Sequence, residues 1–168
     1  MCISKTKGYK YCLNKAVLQY GLPTAVICAV IYYFISHDDM PLWKIANDMY
    51  ISVFVTCFIC SVTMIPGVKS DKKKEKLPEM AGMSRPLYSF IPKNMVLQSL
   101  VTSLISMFIY ATIPCGLAML VASFFESPET IAIPGNIYWI VKSVYSGVFI
   151  AMHIFHATAC AATKLQAE

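Results

Sequence analysis

The sequence predicts an all-α membrane protein in which four transmembrane helices form two parallel tandem helical hairpins, with both termini cytoplasmic. Hydrophobic residues make up 57% of the 168 residues and charged residues 14%, against roughly 45–50% and 25% in soluble domains. The apolar residues fall into four long runs, and basic residues are concentrated in alternate connections between them. This balance excludes an ordinary soluble domain, a disordered chain and the usual kind of nucleic-acid-binding protein.

Four segments are long enough to cross the hydrocarbon core of a bilayer, which requires about 20 mainly apolar residues. They are residues 16–35, 49–66, 95–125 and 137–162. Because a chain in lipid must satisfy its own backbone hydrogen bonds, these runs are expected to be helices. Pro23 and Pro114 each remove a backbone donor, which predicts a kink in the first and third helices.

The distribution of charge predicts the orientation. Residues 1–15 carry four lysines and no acidic side chain, and the connection 67–93 carries seven basic and three acidic residues. Connections 36–48 and 126–136 are net acidic. Since cytoplasmic loops are enriched in Lys and Arg, the N-terminus, the connection 67–93 and the C-terminus are expected inside. The lysine-rich, arginine-poor composition favours a bacterial cytoplasmic membrane.

Two short patterns recur in the same order along the chain. VLQ at 17–19 and 96–98 opens the first and third helices, and YISVF at 50–54 corresponds to YSGVF at 145–149. These matches predict a duplicated helical hairpin: a first repeat over 1–66, a basic cytoplasmic linker over 67–93 and a second repeat over 94–168. Both repeats begin on the same side, so a pseudo-two-fold axis along the membrane normal is expected, within a four-helix bundle.

A two-helix unit ending in a run such as FIAM at 149–152, joined to a second copy by a basic linker, has a recognisable layout. It resembles an uncharacterised bacterial family of small tandem two-helix-repeat integral membrane proteins. The resemblance covers most of the chain and rests on layout and hydropathy. It implies the fold, and it implies no activity or catalytic residue.

His153 and His156 lie three residues apart, so they share a face of the fourth helix. An ionisable residue within a span is a candidate metal or haem ligand or a proton carrier. A metal site requires more ligands, and the spans offer no clear carboxylate partner. A structural role is therefore the simpler interpretation, and no cofactor is expected. Cys57 and Cys60 have the spacing of a redox pair but are expected to be inert in an apolar helix.

Small residues recur every four positions in the first and fourth helices, where they permit close helix approach. We expect these residues to form contact faces, either within the bundle or between protomers: Gly21, Ala25 and Ala29, with Ser143, Gly147 and Ala151. Asn47 or Asp48 is expected to cap the second helix. Lys142 is expected to extend toward the outer boundary, with a counter-ion role as the alternative.

The third helix is rich in hydroxyl groups. Ser103 and Ser106, with the proline at Pro114, can line a polar path, although such hydroxyls commonly bond back to their own helix. In the connection 67–93, the cluster Lys72, Lys73 and Lys74 either binds anionic lipid headgroups or serves only as a topology signal.

The chain contains no phosphate-binding loop, metalloprotease motif or nucleophile elbow, and we do not expect an enzyme. The duplication, the prolines and the hydroxyls favour membrane transport or permeation by an oligomer, because four helices enclose little space. One alternative is a non-catalytic membrane subunit that packs against a larger partner. A third is a haem-binding redox anchor that uses His153 or His156.

Overall fold

The computed structural model describes residues 2–35, 38–80, 83, 86–124 and 132–167. Within them, four helices are long and apolar enough to cross a membrane. Helix α1 covers residues 2–35, α2 Leu42–Lys73, α3 residues 95–122 and α4 Gly135–Gln166. A short helix, Pro86–Phe90, precedes α3. Two short strands, β1 (Met40–Pro41) and β2 (Ala132–Ile133), lie before α2 and α4. The architecture is that of an all-α multi-pass membrane protein.

Helices α1 and α3 each contain a π-helical stretch. In α1 it covers Lys15–Gly21, between α-helical Cys2–Asn14 and Leu22–Ile35. In α3 it covers Phe108–Thr112, between Met95–Met107 and Ile113–Ala122. Each stretch ends two residues before a proline. Proline lacks a backbone donor and clashes with the carbonyl four residues earlier, and that carbonyl lies within the π-helical stretch in both helices. The wider turn accommodates this carbonyl.

The helices extend beyond the apolar runs. Helices α2 and α4 contain 32 residues each, or about 48 Å, whereas the hydrocarbon core is about 30 Å thick. Hydropathy detects only the apolar part, and polar residues continue the helix outside it. Helix α2 therefore includes residues 67–73 of the predicted linker 67–93. The predicted end of the third span at Phe125, and the acidic residues Glu126 and Glu129, lie outside the described residues.

Helix α2 ends in a Schellman motif. The backbone N–H of Lys76 donates to the carbonyl of Asp71 at 2.9 Å, and that of Glu75 donates to the carbonyl of Lys72 at 3.0 Å. Glu75 has a φ of 56°, in the left-handed region that favours glycine. A residue with a side chain thus occupies the position that usually requires glycine.

Helix α4 is the centre of the bundle. It packs against α1 along most of the length of α1 and also against α2, which packs against α3. The core between α2, α3 and α4 includes Val53, Phe149, Ile150 and Ile154, which are at most 2% exposed. The most extensive contacts therefore join α1 to α4 and α2 to α3, rather than the consecutive helices of each expected hairpin. The arrangement as two tandem hairpins stays a prediction.

The connections meet at two distinct ends of the bundle. At one end, which we call the strand end, β1 pairs antiparallel with β2, with Met40 opposite Ile133. At the other, which we call the terminal end, Lys15 of α1 forms an ion pair with Asp71 of α2 at 3.0 Å. There the side-chain nitrogen of Gln166 also donates to the carbonyl of Pro78 at 2.8 Å. The charge distribution predicts that the terminal end is cytoplasmic.

Candidate functional site

Helix α4 carries buried polar side chains on the face toward α2 and α3. Lys142 and Ser146 are each 1% exposed, and His153 is 2% exposed. Their spacings of four and seven residues place them on one face of the helix. A buried polar or charged group is costly unless it is bonded, so the partners of these side chains determine what the site can do.

The imidazole of His153 has a partner at each ring nitrogen. Nδ1 lies 2.7 Å from the hydroxyl of Ser106 on α3. Nε2 lies 2.6 Å from the hydroxyl of Ser61 and 3.1 Å from the carbonyl oxygen of Cys57, both on α2. Because a carbonyl oxygen only accepts hydrogen bonds, Nε2 carries a proton. The ring therefore links three helices in the middle of the bundle.

Buried polar groups continue from His153 toward the terminal end. On α3 these are Ser103, Ser99 and Gln98, which precede Ser106 by three, seven and eight residues, and on α4 it is Thr158. In the part of the chain that the structure describes, the Gln98 amide nitrogen and the hydroxyls of Ser99, Ser103 and Thr158 have no hydrogen-bond partner. Since buried polar groups are nearly always bonded to protein or ordered water, water is the partner that we expect for these four atoms. We call these four residues, with Ser106 and His153, the polar column.

The sequence left two roles open for the hydroxyls of α3: lining a polar path, or bonding back to their own helix. The structure shows examples of each arrangement. The hydroxyl of Thr102 bonds back to its own helix, at 2.8 Å from the carbonyl of Gln98. Ser106 instead bonds across to His153, and the Ser103 hydroxyl is fully buried without a partner. Pro114 lies near the strand end, where it lines a separate cavity of about 230 Å³ between α2, α3 and α4.

An aromatic layer separates His153 from the strand end. The ring of Phe149 lies 6.5 Å from that of Tyr110 and 5.2 Å from that of Tyr145, measured between centroids. Val53 of α2 is fully buried at the same level. The polar column is therefore closed on this side. On the opposite side, a cavity of about 200 Å³ extends from His153 and Ser106 to His156 and Tyr88.

A second polar cluster lies at the strand end, built around Asp48 and Lys142. The ammonium of Lys142 is 2.8 Å from Asp48 Oδ2 and 2.5 Å from the Ser52 hydroxyl. Tyr32 of α1 donates to Asp48 Oδ1 at 2.8 Å, and Tyr138 donates to Oδ2 at 2.5 Å. Lys142 is almost fully buried, whereas the Asp48 side chain is 27% exposed. The carboxylate thus accepts hydrogen bonds from two other helices, α1 and α4.

Two expectations for this cluster are wrong. Lys142 does not extend to the boundary, because Asp48 on the adjacent helix neutralises it within the bundle. Asn47 and Asp48 do not cap α2, because the helix begins at Leu42 directly after β1. The spacing of Asp48 and Ser52, four residues apart in the same helix, is the signal that would have indicated a shared polar face.

The small-residue stripes of α1 and α4 lie against each other within one chain. A Cβ atom on Gly21 would lie 2.9 Å from the Ala151 Cβ, and one on Gly147 would lie 2.7 Å from the Ala25 Cβ. These distances are below any ordinary contact, so only glycine fits at both positions. Further along the same helices are Ala29, which is half-buried, and Ser143, whose hydroxyl donates to the carbonyl of Trp139.

The basic cluster lies at the C-terminal end of α2, at the terminal end of the bundle. Lys72, Lys73 and Lys74 are all exposed. The ammonium of Lys72 donates to the carbonyl of Leu165 in α4. The exposed position of these three lysines is compatible with binding of anionic lipid headgroups and equally with a role only as a topology signal.

The metal and haem roles considered for His153 and His156 stay predictions. Among the described residues, no group of three or more His, Cys, Asp or Glu side chains could hold a metal ion. Both nitrogens of His153 already have partners, so it presents no free nitrogen to a haem iron. Nδ1 of His156 lies 3.4 Å from the Tyr88 hydroxyl. Cys57 and Cys60 are free thiols, and it is the backbone of Cys57 that contributes to the site.

Comparison with known proteins gives no relative for this arrangement: no family model, curated protein or solved structure matches the chain. The site residues that the sequence alone does not single out include Ser61, Ser52 and Tyr32, and Ser99 and Thr158 of the polar column. Ser61 is a polar residue in an apolar part of α2, but nothing in the sequence indicates that it faces His153.

Proposed function

We propose that the protein is a membrane transport or permeation protein, and that its path follows the polar column between α2, α3 and α4. The supporting observation is the row of buried polar atoms without protein partners that leads to His153. In lipid, such atoms are costly unless they line a cavity that admits water.

The proposal includes the orientation and assembly of the chain. By its charge distribution, the terminal end lies in the cytoplasm, so the polar column opens toward the cytoplasm and the aromatic layer closes it on the outside. We propose a homo-oligomer in a bacterial cytoplasmic membrane. Helix α1 makes its extensive contacts with α4 alone, which leaves the other faces of α1 for lipid or a second copy.

The test is flux into liposomes that contain the purified protein. Shrinkage of vesicles in osmolyte reports permeation of water and small neutral solutes, and a potential-sensitive dye reports ions. Ser103→Val should reduce the flux of the transported species strongly, because it replaces a hydroxyl in the column with two larger, apolar methyl groups. Ser123→Val, at an exposed hydroxyl just after the same helix, is the matched control. Equal flux in both variants would exclude the polar column as the path.

A second candidate is a non-catalytic membrane subunit of a larger complex. The observation that favours it is the apolar, largely exposed surface of α1, of which the most apolar 18-residue window is only 6% buried. Native mass spectrometry of complexes purified in mild detergent separates the two candidates. A homogeneous homo-oligomer supports transport, whereas a stoichiometric second protein supports the subunit.

A further inference from the structure

We infer that the species bound on the polar column is the proton, and that His153 is the group that binds it. This inference rests on the proposed transport function and names its ligand. It depends on the geometry around the imidazole, on the position of the ring at the closed end of the column, and on the absence of a carboxylate around it in the described structure.

The partners of His153 suit both protonation states. In the neutral ring, Nε2–H donates to the Cys57 carbonyl and the Ser61 hydroxyl, and Nδ1 accepts from the Ser106 hydroxyl. When the Nδ1 lone pair takes up a proton, the Ser106 hydroxyl rotates and becomes the acceptor, since a hydroxyl both donates and accepts. All ring hydrogen bonds are therefore kept in the imidazolium. A carbonyl in place of Ser106 would allow only one of these states.

In this arrangement of the helices, the proton has a route to His153 from one aqueous phase only, and its release to the other phase belongs to the second state of the bundle. Water in the polar column, bonded to the free hydroxyls of Ser99 and Ser103, would reach Ser106 from the terminal end. A hydronium ion passes its proton to the Ser106 hydroxyl, which passes its own proton to Nδ1, and water is left behind. No bond other than O–H and N–H is made or broken. The ring of Phe149 and its aromatic neighbours block the same transfer from the strand end.

The surroundings of His153 contain few other groups that titrate. The titratable side chains that face it from the elements packed around it are Cys57 on α2, Tyr110 on α3, His156 on α4, Tyr88 beyond His156, and Tyr9 of α1 beyond Phe155. The described residues around the ring include no carboxylate. A proton on His153 thus adds a whole charge with no carboxylate beside it among the described residues, and such a change of charge is suited to shift a helix bundle between two states.

The experiment measures proton flux across the membrane and, separately, the protonation state of the His153 ring. Vesicles loaded with a pH-sensitive dye are given a valinomycin-driven potassium potential, and His153→Asn is compared with the wild type. Asparagine keeps one donor and one acceptor but does not titrate, so proton flux should fall about a hundredfold, the scale of a positioned proton-transfer group. Ser123→Val, at an exposed position just after α3 that does not line this cavity, is the control and should retain wild-type flux.

A second measurement covers the case in which His153→Asn fails to fold. Nitrogen-15 NMR of histidine-labelled wild-type protein in nanodiscs should show one ring, assigned to His153, changing from neutral to imidazolium as the buffer is acidified. Proton flux in His153→Asn equal to wild type, or a ring that stays neutral until the protein unfolds, would overturn the inference. If solutes or other ions still move, the transport proposal stands without protons. If nothing moves, the transport proposal fails as well.

Discussion

Replacing Gly147 with alanine tests the close contact between α1 and α4. The new Cβ would lie 2.7 Å from the Ala25 Cβ and 3.2 Å from the carbonyl oxygen of Gly21. Carbon atoms in good contact are about 3.5–4.0 Å apart, so the first distance is short by about 1 Å. Backbone lies on one side of the new methyl group, and neither helix can yield by rotating a side chain.

The magnitude follows from comparison with Gly116→Ala. A Cβ on Gly116 meets no atom within 4 Å, so that variant shows only the helix-propensity gain of alanine, about 1 kcal/mol. The same gain applies at position 147 and cancels in the comparison. The remaining difference is the cost of overpacking, about 1–3 kcal/mol. Gly147→Ala should therefore be less stable than Gly116→Ala by this amount.

The assay is reversible unfolding in mixed micelles by titration with sodium dodecyl sulfate, followed by circular dichroism. The double variant Ala25→Gly/Gly147→Ala removes the atom that the new methyl group meets and should recover most of the lost stability relative to Ala25→Gly alone, a coupling that a double-mutant cycle measures. If Gly147→Ala is as stable as Gly116→Ala, or if the cycle shows no coupling, the two helices do not approach this closely.

Three further predictions concern stability in the same assay. Asp48→Ala should cost about 3–5 kcal/mol, because it leaves the buried Lys142 ammonium uncompensated. Lys142→Met should reduce the free energy of unfolding by less than Asp48→Ala does, since Asp48 is partly exposed and keeps two tyrosine donors. Equal losses in the two variants would contradict this account. Glu75→Gly should stabilise by about 0.5–1 kcal/mol by relieving the left-handed conformation, and no gain would mean the cap is unstrained. Ser103→Ala should change stability by less than about 0.5 kcal/mol, because water already satisfies the hydroxyl; a gain of about 1–3 kcal/mol would show that the column is dry.

The sequence is sufficient to predict where the membrane-spanning helices lie along the chain. It is much less informative about which helices pack against each other. Hydropathy is a local property, so the four apolar runs at 16–35, 49–66, 95–125 and 137–162 indicate the four long helices. The helix ends are not predicted, because residues such as Lys72 continue a helix in water without any apolar signal. This explains why α2 reaches into the segment that the sequence analysis assigned to a linker.

The candidate site depends on which helices face one another, and the sequence contains little information on that. His153 stands out as an ionisable residue in a span, but Ser61 is 92 residues away from it and is an ordinary residue in its own helix. The ion pair of Lys142 with Asp48 likewise joins residues that are distant in sequence. Both contacts follow from the packing of α4 against α2, which was not among the expected hairpin contacts.

The π-helical stretches of α1 and α3 have a consequence for insertions and deletions. A π-helical turn contains an extra residue relative to the α-helical pattern. Deleting one residue from Lys15–Gly21 would restore α-helical pairing and keep the flanking faces of α1 in their present directions. Deleting one residue elsewhere in α1 would rotate all that follows by about 100° and turn Ala25 away from Gly147. The two π-helical stretches are therefore the places where these helices can change length without losing their alignment with the bundle.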